Sequence, residues 1–270
     1  MTPAEERLLD ALIAYRFVIR DQMHTLGVCR DRKYLGDLLR RLRGHNFVGE
    51  MKPVRYPDGG RLPAMWYLTA KGAKRVEEYR RLPGGSVPYT KGKPDTKTDR
   101  RHRKACVDFH IALVRSAAAT EIELDFYYPY YASGGDGVIS TRVELPSGQE
   151  FRPDAIFGLR QPGASEPDLY TVEYSTYREA RDSKTMLKKM EVHRKSLQFG
   201  SLAEKLGILR SNRALWVFEE AKGMTAVRER VAEREQFKVA AALFWFAVLD
   251  GLQEDFAGSW VNLFGEPVSL

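Results

Sequence analysis

Two short runs in this chain combine strand-forming residues with one carboxylate each. Phe151-Arg152-Pro153-Asp154-Ala155-Ile156-Phe157 carries Asp154 directly after a proline, and Tyr170-Thr171-Val172-Glu173-Tyr174-Ser175 carries Glu173. β-Branched and aromatic residues dominate both runs, and Gly/Pro-rich segments bound them, which predicts buried strands. If the two strands pair, Asp154 and Glu173 meet at one edge of a sheet. Two converging carboxylates suit a hard divalent cation such as Mg²⁺ or Mn²⁺, with oxygen ligands from both. Such an ion activates water and stabilises charge on a phosphate. The plainer alternative is two strand-end acids paired with Arg152, Arg178 or Arg181.

The Pro-Asp and Glu-X-X pattern resembles the PD-(D/E)XK nuclease superfamily. More narrowly, the stretch from Leu8 to Leu197 resembles the replication-relaxation family of plasmids and other mobile elements, some of whose members are relaxases. The resemblance implies Asp154 and Glu173 as catalytic and metal-binding residues. It also implies a lysine two residues after the glutamate, and this chain has Ser175 there. The basic helix expected from Arg178 to about Phe199 offers Lys184 or Lys188 as a replacement, and Lys188 completes the candidate catalytic set with Asp154 and Glu173. Glu150, four residues before Asp154 on the same side of the strand, is a candidate third ligand. A relaxase also needs a nucleophilic tyrosine. Tyr174, Tyr177 and Tyr15 are candidates, although strand alternation turns Tyr174 away from Glu173.

The elements that must position these residues follow from pattern. Thr2-Pro3-Ala4-Glu5 reads as a capping box with proline at the first helical position. A second short helix fits Ile19 to Leu26. Asp31 caps a third, in which Leu35, Leu38, Leu39 and Leu42 form one apolar stripe opposite a basic face. Strands near Val48 to Arg55 and Ala64 to Leu68 flank a turn at 57–60, and a helix starts at Thr69. Three helices, a hairpin and a further helix resemble a winged helix-turn-helix. In such a module a helix enters the major groove, and Lys and Arg neutralise phosphates. The expected DNA contacts are Arg32, Lys33, Tyr34, Arg40 and Arg41 on the third helix, and Lys52, Arg55 and Arg61 on the wing.

The segment 83–101, rich in Pro, Gly, Ser, Thr and Lys, reads as a flexible basic linker between domains at 1–82 and 102–270. A helix then fits Arg100 to Ala119, with His102 in a basic cluster as a further DNA contact. His110 is either near the metal or a satisfied core histidine. Strands near Glu121 to Tyr131, Val138 to Leu145 and Gln149 to Leu159 precede the Glu173 strand. Beyond Phe199 come a strand, a helix and two more strands, with Trp216, Phe244, Trp245, Phe246 and Trp260 as core. The expected fold is α+β or α/β: an N-terminal winged helix-turn-helix followed by a restriction-endonuclease-like mixed sheet with flanking helices.

Bulk properties narrow the function. Of 270 residues, 43% are hydrophobic, enough for a sizeable core. Residues 1–105 hold 24 Lys and Arg against 12 Asp and Glu, a net of +12, whereas residues 106–270 have a net of −5. A basic half predicts a polyanionic partner. The two cysteines, Cys29 and Cys106, have no metal-ligand spacing and fit a reducing cytoplasm. Neither a signal-peptide layout nor an apolar run of membrane-spanning length is present. The expectation is a double-stranded DNA-binding protein of a plasmid or other mobile element, acting in replication initiation or mobilisation by Mg²⁺- or Mn²⁺-dependent nicking. It would work as a homodimer or with other mobilisation or replication proteins, away from membranes. The alternative is a non-catalytic transcription or replication regulator, with a degenerate nuclease fold used for dimerisation or DNA contact.

Overall fold

The computed structural model describes residues 1–56, 60–90, 100–132, 139–208 and 212–270. Met1–Val107 form one compact unit, and Asp108–Ala132 with Ile139–Leu270 form a second. Both mix helices and strands. Among the described residues no helix is long and apolar enough to cross a membrane.

The first unit opens with α1 (Pro3–Tyr15). Its start follows the capping-box expectation: Glu5 N donates to Thr2 Oγ1 at 3.3 Å, and Thr2 N donates to Glu5 Oε2 at 2.6 Å. β1 (Val18–Ile19), α2 (Arg20–Thr25) and α3 (Arg32–Gly44) follow. Asp31 caps α3 by accepting from Lys33 N at 2.6 Å and Tyr34 N at 2.9 Å. The leucine stripe of α3 is buried throughout, at 3% exposure or less. Each of its four side chains contributes roughly 2 kcal/mol of burial. Then come β2 (Val48–Met51), β3 (Val54–Arg55), β4 (Arg61–Leu62), β5 (Met65–Leu68) and α4 (Ala70–Arg80). β1, β5 and β2 make an antiparallel sheet in that order, and β3–β4 is a separate hairpin. Of the turn expected at 57–60, residues 57–59 lie outside the described residues.

Residues 83–90, read from composition as the start of a linker, are held to this unit. Val87 is buried, its N–H donates to Glu77 Oε1 at 2.9 Å, and Thr90 N donates to Leu68 O at 3.1 Å. One apolar side chain within the Gly/Pro run supplies the burial that composition averaged away. Residues 91–99 lie outside the described residues. α5 (Arg100–Ala119) then gives its first turns to the first unit. There Gln22 Nε2 donates to Lys104 O at 3.0 Å, and the Arg101 and Arg103 guanidinium groups lie over Tyr56 and Phe17.

The second unit continues with β6 (Glu123–Pro129), β7 (Val143–Glu144), β8 (Glu150–Phe151), β9 (Ala155–Arg160) and β10 (Asp168–Ser175). Helices α6 (Tyr177–Arg181), α7 (Ser183–Phe199) and α8 (Ser201–Leu206) come next. β11 (Asn212–Phe218), α9 (Ala221–Ala232), α10 (Glu235–Lys238) and a 3₁₀ turn at Ala241–Leu243 lead to β12 (Phe244–Val248). α11 (Leu249–Glu254), β13 (Trp260–Asn262) and β14 (Pro267–Val268) end the chain. The sheet has seven strands in the order β14-β13-β12-β11-β10-β9-β6, with β7–β8 a separate pair. β10–β11 and β11–β12 are parallel; the other pairs are antiparallel.

The strand expected near Val48 to Arg55 divides into β2 and β3 around Pro53, and two expected elements nearer the site are broken as well, each for a local reason. The strand expected over 149–159 divides into β8 and β9 because Pro153 has no N–H to give to a ladder. The helix expected from Arg178 divides at Asp182, whose carboxylate accepts from Thr185 N at 3.1 Å and starts α7 afresh. The aromatic residues Trp216, Phe244, Phe246 and Trp260 are fully buried, as the core reading expects. β10 lies inside the sheet with seven of its eight residues buried, the polar Thr171, Glu173 and Ser175 among them.

Candidate functional site

Strand alternation puts Thr171, Glu173 and Ser175 on one face of β10. Helical periodicity puts Lys189 and His193, four residues apart, on one face of α7. The two pairs meet. His193 Nε2 lies 2.8 Å from Glu173 Oε1, and its Nδ1 lies 3.3 Å from Thr171 Oγ1. Lys189 Nζ lies 2.5 Å from Glu173 Oε2. This last contact is a charge pair without hydrogen-bond alignment, since Oε2 is buried and meets no aligned donor.

The apolar side chains of α7 hold this face in place. Met186 and Met190 are buried in the cluster around Trp216, and Leu197 packs against it. His193 continues that stripe at a core position. Its ring stands edge-on to Phe151, with centroids 4.6 Å apart, and to Trp216 at 5.4 Å. His193 and Glu173 are each 2% exposed, whereas Lys189 keeps 40% exposure along its side chain. Solvent therefore reaches the cluster at Lys189.

Asp154 precedes β9 at the point where the β9–β10 ladder stops. The last paired residues are Val172 and Ala155, so the next register step sets Asp154 beside Glu173. Its N–H donates to Val172 O at 2.9 Å, and its Oδ2 accepts from Tyr174 N at 2.8 Å. The carboxylate takes the place of the strand carbonyl that Tyr174 N would meet if the ladder continued. The side chain is 8% exposed.

The charges act on one another. Burial alone would push the Glu173 carboxyl up, but the Lys189 ammonium and then His193 hold it below its ordinary value. Burial alone would lower the Lys189 ammonium, but Glu173 and then Asp154 raise it above its ordinary value. Both groups are therefore charged at neutral pH. Since a carboxylate only accepts, His193 Nε2 carries the hydrogen of the pair with Glu173. The order hydroxyl, imidazole, carboxylate is that of a nucleophile with its base and orienting acid. Thr171 is 1% exposed, however, and no substrate reaches it. The triad holds Glu173 in place.

The candidates from sequence fall into place as follows. Asp154 and Glu173 are neighbours, as expected. Lys188 does not reach them: it is exposed, as is Lys184. Lys189, one position on, supplies the charge, because a helix turns about 100° per residue and Lys189 shares its face with His193. It brings an ammonium to the face of β10 where a lysine at position 175 would stand. Ser175 itself is buried, its hydroxyl 3.4 Å from Thr176 O. Glu150 is drawn away on the β7–β8 pair, where it forms an ion pair with Arg142. Of the candidate tyrosines, Tyr174 and Tyr15 are buried, and burial pushes the Tyr15 phenol up to about 12. His110 stacks flat on Tyr127, centroids 3.7 Å apart, and burial pushes its pKa down to about 4. It is a partly buried histidine packed on an aromatic ring.

In the first unit, Arg32, Lys33, Tyr34, Arg40 and Arg41 are all exposed on α3, and Lys52, Arg55 and Arg61 are exposed around the β3–β4 hairpin. All four α3 arginines already touch acids: Arg32 with Asp21 at 3.0 Å, Arg40 with Asp37 at 2.8 Å, Arg41 with Glu5 at 2.8 Å, and Arg43 with Glu50. Such exposed pairs are worth about 0–1 kcal/mol and exchange readily for other anions. Arg55 and Arg61 stand directly opposite each other in the hairpin register. His102 is half-buried, its Nδ1 3.8 Å from Cys106 Sγ one turn along α5, and so does not share the open exposure of the other candidates.

His193 and Thr171 carry no role in the sequence reading. The signal was present: a histidine at a core position of an apolar helical stripe, following a strand with one buried acid. Comparison with protein-family models, with curated proteins and with solved structures finds no match to this chain.

Proposed function

We propose that this chain is a double-stranded DNA-binding protein of a mobile element, with a winged-helix first unit and a second unit of the PD-(D/E)XK type that nicks DNA in replication initiation or mobilisation. The observation that carries the enzymatic part is the Lys189 ammonium against Glu173, at the strand end where Asp154 stands. This restores the acid, acid and lysine set that Ser175 leaves incomplete. The DNA-binding part is supported by the hairpin. Like charges directly opposite in a strand pair are unfavourable, and Arg55 facing Arg61 is such a pair. A DNA backbone that sets one phosphate against each of them relieves it.

Glu173 Oε2 is a buried acceptor faced by a cation and lacking an aligned donor, a setting that suits a hard divalent ion. Asp154 and Glu173 would hold it, and Mg²⁺ or Mn²⁺ would supply an activated water and Lewis-acid stabilisation. Lys189 would hold positive charge beside the phosphate. The α3 face and the hairpin would keep the duplex in register through phosphate contacts.

One observation favours the non-catalytic reading, a regulator with a retired nuclease fold: each Glu173 oxygen is already faced by a nitrogen, from His193 and Lys189. The deciding experiment is a relaxation assay on supercoiled plasmid with Mg²⁺ or Mn²⁺. Wild type is compared with Asp154→Ala, Glu173→Ala and Lys189→Ala. Nicking lost in all three variants, with duplex binding retained, supports the enzyme. Tight, salt-sensitive binding without nicking supports the regulator. Weak, salt-insensitive binding removes DNA as the partner altogether.

A further inference from the structure

The two oxygens of Glu173 have different surroundings. Oε1 accepts from His193 Nε2 at 2.8 Å, and the imidazole is fixed from behind by Thr171 and edge-on by Phe151 and Trp216. With 2% exposure, that ring has no room to turn away. Oε2 is faced instead by Lys189, a flexible side chain with 40% exposure that can swing into solvent. One oxygen is therefore committed by packing, and the other is held by a group that can leave.

We propose that His193 is a positioning residue that makes this a one-cation centre, at which a divalent ion and the Lys189 ammonium compete for the single exchangeable oxygen, Glu173 Oε2. This rests on the metal-site reading above. A bidentate grip by Glu173 is closed off because Oε1 already serves His193. Ion binding and release of Lys189 are then one event. The displaced ammonium is freed where a phosphate would lie, so the ion that charges the site also delivers the lysine to it.

The test is a Mn²⁺ titration of the full chain without DNA, with free ion read by electron paramagnetic resonance. Wild type is expected to take one ion at this site, and Glu173→Gln to lose it. Lys189→Met removes the competitor and is expected to bind Mn²⁺ at least about fivefold more tightly, a gain that the pairing of exposed charges sets as its lower bound. His193→Leu is expected to bind about 10- to 100-fold more weakly, the usual cost of removing a group that orients a ligand. His193→Gln keeps a donor toward Oε1 and is expected to restore most of that loss, which a merely space-filling role would not do. Circular dichroism and thermal melting confirm that each variant is folded.

Lys189→Met binding no tighter than wild type, or His193→Gln as weak as His193→Leu, overturns the proposal. If neither wild type nor Lys189→Met binds Mn²⁺, the metal reading itself fails. Binding by Lys189→Met alone leaves competition standing. The share of His193 is read separately, without metal, from the nitrogen-15 spectrum of the imidazole. A slowly exchanging Nε2–H is expected in wild type, and its absence there removes the positioning role whatever the ion does.

Discussion

His110 makes the stability of the second unit depend on pH in a way that can be isolated. Its ring lies flat on Tyr127, 3.7 Å between centroids with 3° between the planes, and burial lowers its pKa from 6.5 to about 4. The unfolded chain takes up a proton on this imidazole as pH falls through about 6.5. The folded chain refuses it until about 4. Stability from the neutral ring is therefore complete above about 6.5, declines across the interval and levels off below about 4. The shift spans roughly two and a half units, and at about 1.4 kcal/mol per unit the loss is about 3 kcal/mol. His110→Phe keeps a stacked ring and abolishes the titration. Urea unfolding of both proteins from neutral pH to pH 4 is the assay, followed by tryptophan emission. Trp216, Trp245 and Trp260 lie in the second unit, so that unit dominates the signal. Carboxylates in wild type and variant contribute equally and cancel in the difference. The difference is expected to change by about 3 kcal/mol in favour of the variant as pH falls. Parallel curves would mean that the imidazole protonates in the folded state, and the burial argument would be refuted.

Other outcomes follow from equally local features. Gly72→Ala places a methyl group 2.0 Å from Phe47 O, a backbone atom that cannot yield, so melting of the first unit should show a loss of about 3 kcal/mol. Arg55→Ala and Arg61→Ala should each reduce the slope of log affinity against log salt for duplex DNA by about 0.9, one phosphate contact apiece, with no loss of thermal stability. Val87→Asp should release residues 83–90 from the first unit, read as faster amide exchange and new protease cutting there, because a buried side chain cannot accept an unpaired charge. Glu173→Leu should destabilise the second unit by about 1–3 kcal/mol in chemical unfolding. It strands the buried His193 donor, while the partly exposed Lys189 side chain can turn toward water.

The legible parts of the fold are those in which local pattern and burial agree. The α3 stripe with its Asp31 cap and the Thr2–Glu5 capping box follow from spacing alone. The Arg100–Ala119 helix does too, and it has the expected limits. The Asp154 and Glu173 juxtaposition was readable because each acid stands among β-branched and aromatic residues, in the runs 151–157 and 170–175. What pattern could not supply was angle. Lys184, Lys188 and Lys189 are equivalent as charges in a basic helix, and only the break at Asp182, which sets where α7 starts, decides which one faces β10. Composition also hides single residues that act against the average. Val87 docks a segment whose other residues read as linker, and Glu150 is taken by Arg142 because Pro153 divides its strand from the one that bears the site.

The side chains of the site all come from one uninterrupted stretch, between Asp154 and His193, built from β9, β10, α6 and α7. Bringing them together closes only short loops, and the entropy of closure rises slowly with loop length. The segment that carries the charges is thus local in the chain, although its burial is completed by Trp216 of β11 and by Phe244 and Phe246 of β12. The same contiguity makes the segment separable in evolution. An insertion at the far edge of the sheet alters neither the spacing of Thr171 and Glu173 nor that of Lys189 and His193, so the surrounding sheet is free to diverge while the charge geometry stays as it is.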